Sequence, residues 1–248
     1  MVKGVGKFCG EEGKLIKAHI IPKRLYYKPE GTDEPLMVYS SDSPGRTEPS
    51  WTGIYDRNLV CGVCEKRWDG WDSYAVDFLR NLEKHAEPIY VQGELTFYQA
   101  DKYDYQKLKL FFISLAWRCG ASQRPEFSLV SLGLYQDRLK EVIESKDPDC
   151  HSFVDISVFR FDDTKLGRIH LPPSGTRFEG VNYLRVHMYG YIVYVKLDKR
   201  HRPYLFQDYT MKSGQNLKIG VRPFKGSPEE KLIKEVVSGN LPSNSFKT

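Results

Sequence analysis

The sequence predicts an α+β protein, because helical and strand patterns occupy different parts of its 248 residues. In the middle of the chain, apolar residues recur at the spacing of helix faces. The final third alternates and is rich in β-branched and aromatic residues. Residues 1–68 show neither pattern and are rich in Gly, Pro, Cys and turn residues. We therefore predict an N-terminal region, 1–68, followed by an α+β region, 69–248.

The N-terminal region contains one segment that predicts a long loop. Residues 28–53, "KPEGTDEPLMVYSSDSPGRTEPSWTG", are dense in Pro, Gly, Ser and Asp. These residue types favour turns over helices or strands.

Three helices are predicted in the middle of the chain, over residues 71–87, 105–118 and 134–144. The first places Tyr74 and Phe78 on one face. The second contains "LKLFFISLAW", which is apolar on nearly all sides and therefore indicates a buried central helix.

Strands and a final helix follow. The stretches "SFVDISVFRF" and "YLRVHMYGYIVYVKL" predict antiparallel strands between about residues 152 and 206. Ser227 is a predicted N-cap, with Pro228 at the first helical position and Glu230 at the third. This capping box predicts a helix over residues 228–238.

Composition narrows the class of protein. The chain is 40% hydrophobic and 28% charged, and no apolar run reaches the roughly 18 residues that a membrane helix needs. The N-terminus lacks the apolar segment of a signal peptide. We therefore predict a cytoplasmic protein without a membrane partner. The net charge of +5 permits a nucleic-acid partner.

Much of the positive charge lies late in the chain. From Arg185 to Arg222 there are eight Lys or Arg against two Asp. In "KLDKRHR", Lys199, Arg200 and Arg202 are candidate contacts to nucleic-acid phosphates. A solvated hairpin tip is the alternative interpretation.

The cysteines point to a metal rather than to disulfides. Five cysteines without an export signal argue against a disulfide framework. Cys61 and Cys64 form a Cys-x-x-Cys, and Cys9 precedes Gly10 as at the end of a zinc knuckle. A redox role is disfavoured because no thioredoxin-like βαβ pattern surrounds the pair.

Four short motifs of the N-terminal region, taken in order, resemble the HNH endonuclease family. They are Cys9-Gly10, His19-Ile20-Ile21-Pro22, Asn58-Leu59 and Cys61-x-x-Cys64. The likeness covers about the first 68 residues. The segments "GIYDRNLVCGVCE", "WDSYAVDFL" and "LKLFFISLAWRCGAS" are also similar to a group of bacterial proteins with an HNH-like N-terminal region.

The resemblance implies a treble-clef, or ββα-metal, fold and a nuclease that acts on DNA, with RNA as a possible substrate. It implies that His19 is the general base acting on water and that Asn58 helps to hold a divalent ion. Cys9, Cys61 and Cys64 correspond to ligands of a structural Zn²⁺. By analogy alone, such a nuclease could act in bacterial defence.

Three positions depart from the family pattern. Ala18 stands where the family usually has an acid or a histidine before its base. Glu65 replaces the histidine that follows the second knuckle, and Gly6 replaces a cysteine of the first knuckle. Zinc is therefore left with three thiolates and needs a fourth donor.

The divalent ion also loses ligands, and oxygen donors near Asn58 could replace them. Asp56 and Glu65 are such donors, and with Asn58 they could bind Mg²⁺ or Mn²⁺. Each residue also has a simpler interpretation. His19 could be a core histidine, Asn58 a turn residue, and Glu65 a solvated residue in a helix's first turn.

Two hypotheses follow. The first is a metal-dependent HNH-type nuclease, favoured by His19 and Asn58. The second, favoured by Ala18, is an inactive treble-clef module that binds nucleic acid or a protein partner. A homo-oligomer is compatible with either.

Overall fold

The computed structural model describes residues 3–26, 36–39, 47–50, 52–163 and 171–238. Within these ranges the chain is α+β, as predicted, with one seven-stranded sheet, three two-stranded ladders and six α-helices. None of the helices in the described ranges is long and apolar enough to cross a membrane.

The N-terminal region forms three small antiparallel ladders and one short helix. The ladders pair β1 with β2, β3 with β6 and β4 with β5. Their bounds are β1 Lys3–Val5, β2 Glu12–Lys14, β3 Ala18–His19, β4 Leu36–Tyr39, β5 Thr47–Ser50 and β6 Tyr55–Asp56, followed by α1 Gly62–Glu65. The loop predicted over 28–53 therefore contains the β4–β5 ladder. Its remaining residues, except Thr52 and Gly53, lie outside the described ranges.

The first predicted helix, 71–87, is two helices in the structure. α2 spans Asp69–Arg80 and α3 spans Leu82–His85, separated by Asn81. Asn81 has φ −117° and ψ 38°, which is outside the helical region and ends α2. The prediction was also wrong at its far end, because Glu87 begins a strand.

The other two central helices lie close to their predicted positions. α4 spans Tyr105–Ala121 and α5 spans Tyr135–Ser145. The carboxylate of Asp104 caps α4 by accepting a hydrogen bond from the amide of Lys107 at 2.9 Å. Every residue from Leu108 to Cys119 is buried, which confirms α4 as the central helix of the fold.

The seven-stranded sheet has the order β10-β11-β12-β9-β13-β8-β7. Its strands are β7 Glu87–Val91, β8 Glu94–Ala100, β9 Val154–Phe161, β10 Ser174–Phe178, β11 Val181–Met188, β12 Tyr191–Leu197 and β13 Leu217–Arg222. All neighbours are antiparallel except β9 and β13, which are parallel. The sequence prediction missed the β7–β8 hairpin, β13 and this parallel pair.

The stretch "YLRVHMYGYIVYVKL" is a hairpin rather than one strand. β11 and β12 are joined by Tyr189 and Gly190, both with positive φ, at 50° and 78°. Two positive φ angles define a two-residue turn that matches the twist of the flanking strands.

The final helix, α6, spans Pro228–Ser238, and Ser227 is its N-cap as predicted, whereas Glu230 binds the amide one residue before the N-cap. Ser227 Oγ accepts a hydrogen bond from the amide of Glu230 at 3.1 Å. Glu230 Oε2 in turn accepts one from the amide of Gly226 at 2.6 Å.

One large apolar cluster joins the N-terminal region to the central helix. Phe8 packs edge-on against Trp68 and Trp117, with ring centroids 5.7 and 5.0 Å away. Ala18 and Ile20 belong to the same cluster and are fully buried. A second, aromatic cluster includes Phe159, Phe206 and neighbouring rings from β9 to β12. The boundary predicted at residue 68 stays a prediction.

Candidate functional site

The first candidate ligand, Cys9, lies in a tight turn between β1 and β2. The amide of Gly6 donates to the carbonyl of Glu11 at 3.0 Å, and the amide of Gly10 donates to the carbonyl of Gly6 at 2.8 Å. Gly10 has φ +76°, which a residue with a side chain adopts only under strain. The local sequence therefore folds into the compact turn that its Cys-Gly pair predicts.

Backbone contacts bring the other two cysteines to this turn. The amide of Lys7 donates to the carbonyl of Leu59 at 2.8 Å, and Leu15 forms a β-bridge with Cys61. Cys61 immediately precedes α1, and Cys64 lies within it.

The three thiols form one cluster. The Sγ atoms of Cys9, Cys61 and Cys64 all lie within 4.8 Å of one another, and all three cysteines are free. Thiolates bound to one zinc ion at about 2.3 Å lie about 4 Å apart, so the donor set and its spacing fit such an ion. The predicted meeting of these three residues is therefore found, and the cluster could hold a metal.

The two cysteines of the Cys-x-x-Cys differ in how readily they ionise. The backbone N–H of Cys64 points to the Cys61 sulfur and lowers the pKa of Cys61. Burial raises the pKa of the Cys64 thiol to about 12. Metal binding at this site therefore has to release a proton from Cys64.

Gly6 lies where a fourth ligand would be expected. A Cβ atom built on Gly6 would lie 2.9 Å from Cys9 Sγ and 3.7 Å from the amide nitrogen of Cys61. The side-chain direction at Gly6 therefore points into the thiol cluster. Within the described ranges, no further Cys, His or acidic residue joins the three.

His19 is half-buried, and its ring is fixed by one hydrogen bond. Nε2 lies 2.9 Å from the carbonyl oxygen of Thr52, which can only accept, so Nε2 carries the proton. None of the described residues hydrogen-bonds Nδ1. Burial lowers the pKa of His19, and the charges of Lys17, Lys23 and Arg118 lower it further. At neutral pH the ring is therefore uncharged, with Nδ1 as its basic atom.

The β3–β6 ladder separates a buried face from an accessible face. His19 pairs with Tyr55, and Ala18 pairs with Asp56. Residues directly opposite in an antiparallel ladder share a face. Ala18 and Asp56 are buried, whereas Tyr55 is half-buried on the face of His19.

Basic side chains surround Tyr55 on that accessible face. Lys17 Nζ lies 3.7 Å from the Tyr55 ring centroid, and the Arg57 guanidinium lies 5.7 Å from it. Lys17 and Arg57 are both exposed. We call Lys17, His19, Tyr55 and Arg57 the basic face.

His19, Asp56 and Glu65 form no cluster of metal-ligand atoms among the described residues. On the buried face, the Asp56 carboxylate accepts hydrogen bonds from Ser122 Oγ and from the backbone N–H of Asn58, both at 2.8 Å. Asn58 itself is exposed. The described residues therefore give no support to a Mg²⁺ or Mn²⁺ site at Asp56 and Glu65, and the role of Asn58 stays a prediction.

Glu65 lies in a different cluster, with Arg118 and Asp72. Burial raises the pKa of Glu65 to about 7, and the charges of Arg118 and Asp72 act on it. Arg118 is fully buried and donates two hydrogen bonds to Asp72, at 2.9 and 2.8 Å. The helical pattern of residues 71–87 contains Asp72, but nothing local distinguishes it from a solvated residue.

The three predicted phosphate contacts lie in the segment that follows β12. Arg200 donates to both carboxylate oxygens of Asp198, at 2.9 and 2.6 Å, and Arg202 donates to Asp155 at 3.1 Å. Lys199 is exposed, and it pairs with no acidic group among the described residues. All three basic residues line a cleft of roughly 480 Å³.

Comparison with protein-family models, curated proteins and solved structures finds no match. The resemblance to HNH endonucleases therefore rests on the sequence motifs alone.

Proposed function

We propose that this chain is a nuclease of HNH type, in which His19 acts as the general base for hydrolysis of a phosphodiester bond. One observation carries the proposal. His19 is uncharged at neutral pH, its tautomer is fixed by the Thr52 carbonyl, and its Nδ1 is left as the proton acceptor.

The basic face supports a nucleic-acid substrate. Lys17 and Arg57 supply cations for phosphate binding, which is independent of sequence. Tyr55 lies between them and offers an aromatic surface on which a base can stack. DNA is the substrate that the family resemblance favours, and RNA remains an alternative with the same backbone chemistry.

The chemical step needs few groups from the protein. Nδ1 of His19 accepts a proton from water while the water oxygen forms a bond to phosphorus. The phosphorus–oxygen bond to the leaving nucleotide breaks, and solvent supplies a proton to the leaving oxygen. Lys17 and Arg57 stabilise the negative charge that develops on the phosphate. No step is assigned to a divalent ion.

The proposed role of zinc is structural. The thiols of Cys9, Cys61 and Cys64 would hold Zn²⁺ between the β1–β2 turn and α1, as in a treble clef. Such an ion would fix the backbone just before β3, the strand that carries His19.

A second candidate is a nucleic-acid-binding module without catalysis. It is favoured by the position of Asp56, whose carboxylate faces Ser122 on the buried side of the ladder. The largest effects of neighbouring charges on His19 come from Lys17, Lys23 and Arg118, which are all basic. Such surroundings attract phosphate but repel a divalent cation.

One experiment separates the two candidates. Supercoiled plasmid DNA and single-stranded RNA are incubated with the wild type, His19→Ala and the control His85→Ala, each in EDTA, Mg²⁺ or Mn²⁺. A nuclease cleaves at least one substrate, and His19→Ala lowers the rate by about 10²–10⁴-fold while His85→Ala does not. DNA binding is measured in parallel by fluorescence anisotropy. Binding without cleavage by the wild type in every condition would favour the second candidate.

A further inference from the structure

The thiol cluster has donors on three sides, and the fourth side carries a glycine. A zinc ion in a structural site is almost always bound by four protein ligands in tetrahedral geometry. Cys9, Cys61 and Cys64 supply three sulfur atoms, and no other Cys, His or acidic side chain of the described residues reaches them. A fourth donor is therefore lacking within the described part of the chain.

The direction of the missing donor can be located at Gly6. The position of a Cβ on Gly6 is 2.9 Å from Cys9 Sγ, so a side chain there would enter the cluster. The next nearest atoms, the Cys61 amide nitrogen and the Glu11 carbonyl oxygen, lie 3.7 and 3.9 Å away. Cys9 Sγ therefore lies closer to that position than a real Cβ allows, and Gly6 itself brings no donor to the cluster.

Solvent has access to the cluster. Cys9 and Cys61 are half-buried, and only Cys64 is buried. Gly10, in the same turn, is exposed, and no atom lies within 4 Å of the position of its Cβ. Gly6 itself is buried, so a small molecule would approach the metal position past the half-buried Cys9 and Cys61.

We infer that the metal ion held by Cys9, Cys61 and Cys64 keeps one coordination position on the Gly6 side for an exchangeable external ligand. Water would fill that position in the isolated protein, and a small thiol would displace it because thiolates bind Zn²⁺ and Co²⁺ more strongly than water does. The inference rests on the proposed zinc site but not on nuclease activity. Three-ligand zinc sites with an open position are otherwise typical of catalytic zinc.

The test uses the full chain, with Co²⁺ as the spectroscopic probe. The wild type is loaded with Co²⁺, and the sulfur-to-cobalt charge-transfer absorption is recorded while 2-mercaptoethanol is added. We expect one ion per chain and an increase in this absorption of about one third, since a fourth thiolate joins three. This measurement needs no variant and therefore does not depend on a substitution being tolerated.

Two variants of Gly6 provide a matched comparison. Gly6→Cys supplies the fourth sulfur, whereas Gly6→Ser has a similar shape and lacks the thiolate. Gly6 does not have a positive φ, so the backbone permits both side chains, and the Cys9 side chain has to shift equally for either of them. We expect Gly6→Cys to bind Co²⁺ and Zn²⁺ at least about tenfold more tightly than Gly6→Ser, because one more thiolate shares in binding. Its spectrum should not respond to 2-mercaptoethanol.

Different results overturn different claims. Failure of the wild type to bind Co²⁺ or Zn²⁺ would remove the metal site itself. Binding of one ion without any response to thiol would show that a protein donor already fills the fourth position. One ion per two chains would mean that a second copy supplies the missing sulfur. Either of the last two results would refute the exchangeable position while leaving the zinc site intact.

Discussion

Arg118 and Asp72 join the central helix to α2 through two hydrogen bonds, and Arg118 Nη1 also donates to the carbonyl of His19 at 3.3 Å. The Arg118 side chain is completely buried, and that of Asp72 is 18% exposed. Burial raises the pKa of Asp72, although the charge of Arg118 acts in the opposite direction. The strand that carries His19 is therefore fixed to the core through a buried ion pair.

Removing Arg118 should strongly destabilise the fold. Arg118→Ala leaves the Asp72 carboxylate buried without its partner, which typically costs about 3–5 kcal/mol. Urea unfolding followed by circular dichroism measures the change in the free energy of unfolding. The control is Arg138→Ala, whose exposed pair with Glu141 should contribute about 1 kcal/mol or less. Equal effects of the two variants would contradict a structural role for the buried pair.

His19 should titrate below the ordinary histidine pKa and should make folding acid-sensitive. Burial lowers its pKa in the folded chain, whereas the unfolded chain binds the proton at about 6.5. Between these two values the unfolded state holds more protons than the folded state. The stability contributed by neutral His19 is therefore fully present above pH 6.5 and is lost as the pH falls towards the pKa of the folded chain. NMR titration of the imidazole measures the shift, and unfolding curves of His19→Asn should show a weaker loss over the same pH window. A pKa of His19 above 6.5 would refute the prediction.

The segment after β12 with Lys199, Arg200 and Arg202, here called the basic tip, can be tested for phosphate binding. Arg200 and Arg202 are already paired with Asp198 and Asp155, whereas Lys199 is exposed. If the tip binds nucleic acid, Lys199→Ala should reduce the slope of log K against log salt by about 0.9, the share of one phosphate. The control is Lys231→Ala on α6, with 82% of its side chain exposed. Identical slopes for the wild type and Lys199→Ala would identify the tip as a solvated turn.

Gly220 of β13 should tolerate no side chain. A Cβ at this position would lie 2.6 Å from the Phe159 ring and 3.0 Å from the Tyr209 ring. Gly220→Ala should therefore destabilise the sheet by about 1–3 kcal/mol through overpacking. Gly175→Ala in β10 is the matched control, because no atom lies within 4 Å of its Cβ position. Thermal unfolding of the two variants should differ, and a similar midpoint for both would count against the close approach at Gly220.

The sequence predicts those features whose causes are local. The N-cap at Ser227 and the all-round apolar pattern of α4 each depend on neighbouring residues, and both are found. The β7–β8 hairpin lacks such a signal, because its turn is Gln92-Gly93, and β8 is completed only by pairing with β13. The tautomer of His19 is equally hidden, since it depends on a carbonyl at Thr52 in a segment that the sequence assigns to a loop.

The metal site likewise has one part that the sequence predicts and another that depends on residues distant in sequence. The motif resemblance singles out Cys9, Cys61 and Cys64, and it implies that Gly6 stands where a further ligand is expected. Only the three-dimensional structure shows that Gly6 still points at the sulfur atoms and that Asp56 lies on the buried face. The direction of a side chain depends on strand register, which two-residue strands such as β3 and β6 do not reveal in sequence.

The position of β13 between β9 and β8 has a consequence for how the chain folds. Ala100 at the end of β8 pairs with Leu217, and Phe159 of β9 pairs with Gly220 in parallel. During synthesis, β8 and β9 therefore emerge long before the strand that joins them. Until then the β7–β8 hairpin and the β9–β12 unit each present an open edge, and such edges attract other chains. A chain stopped before residue 217 would have two unjoined sheets, so we expect it to aggregate rather than to fold as a shortened protein.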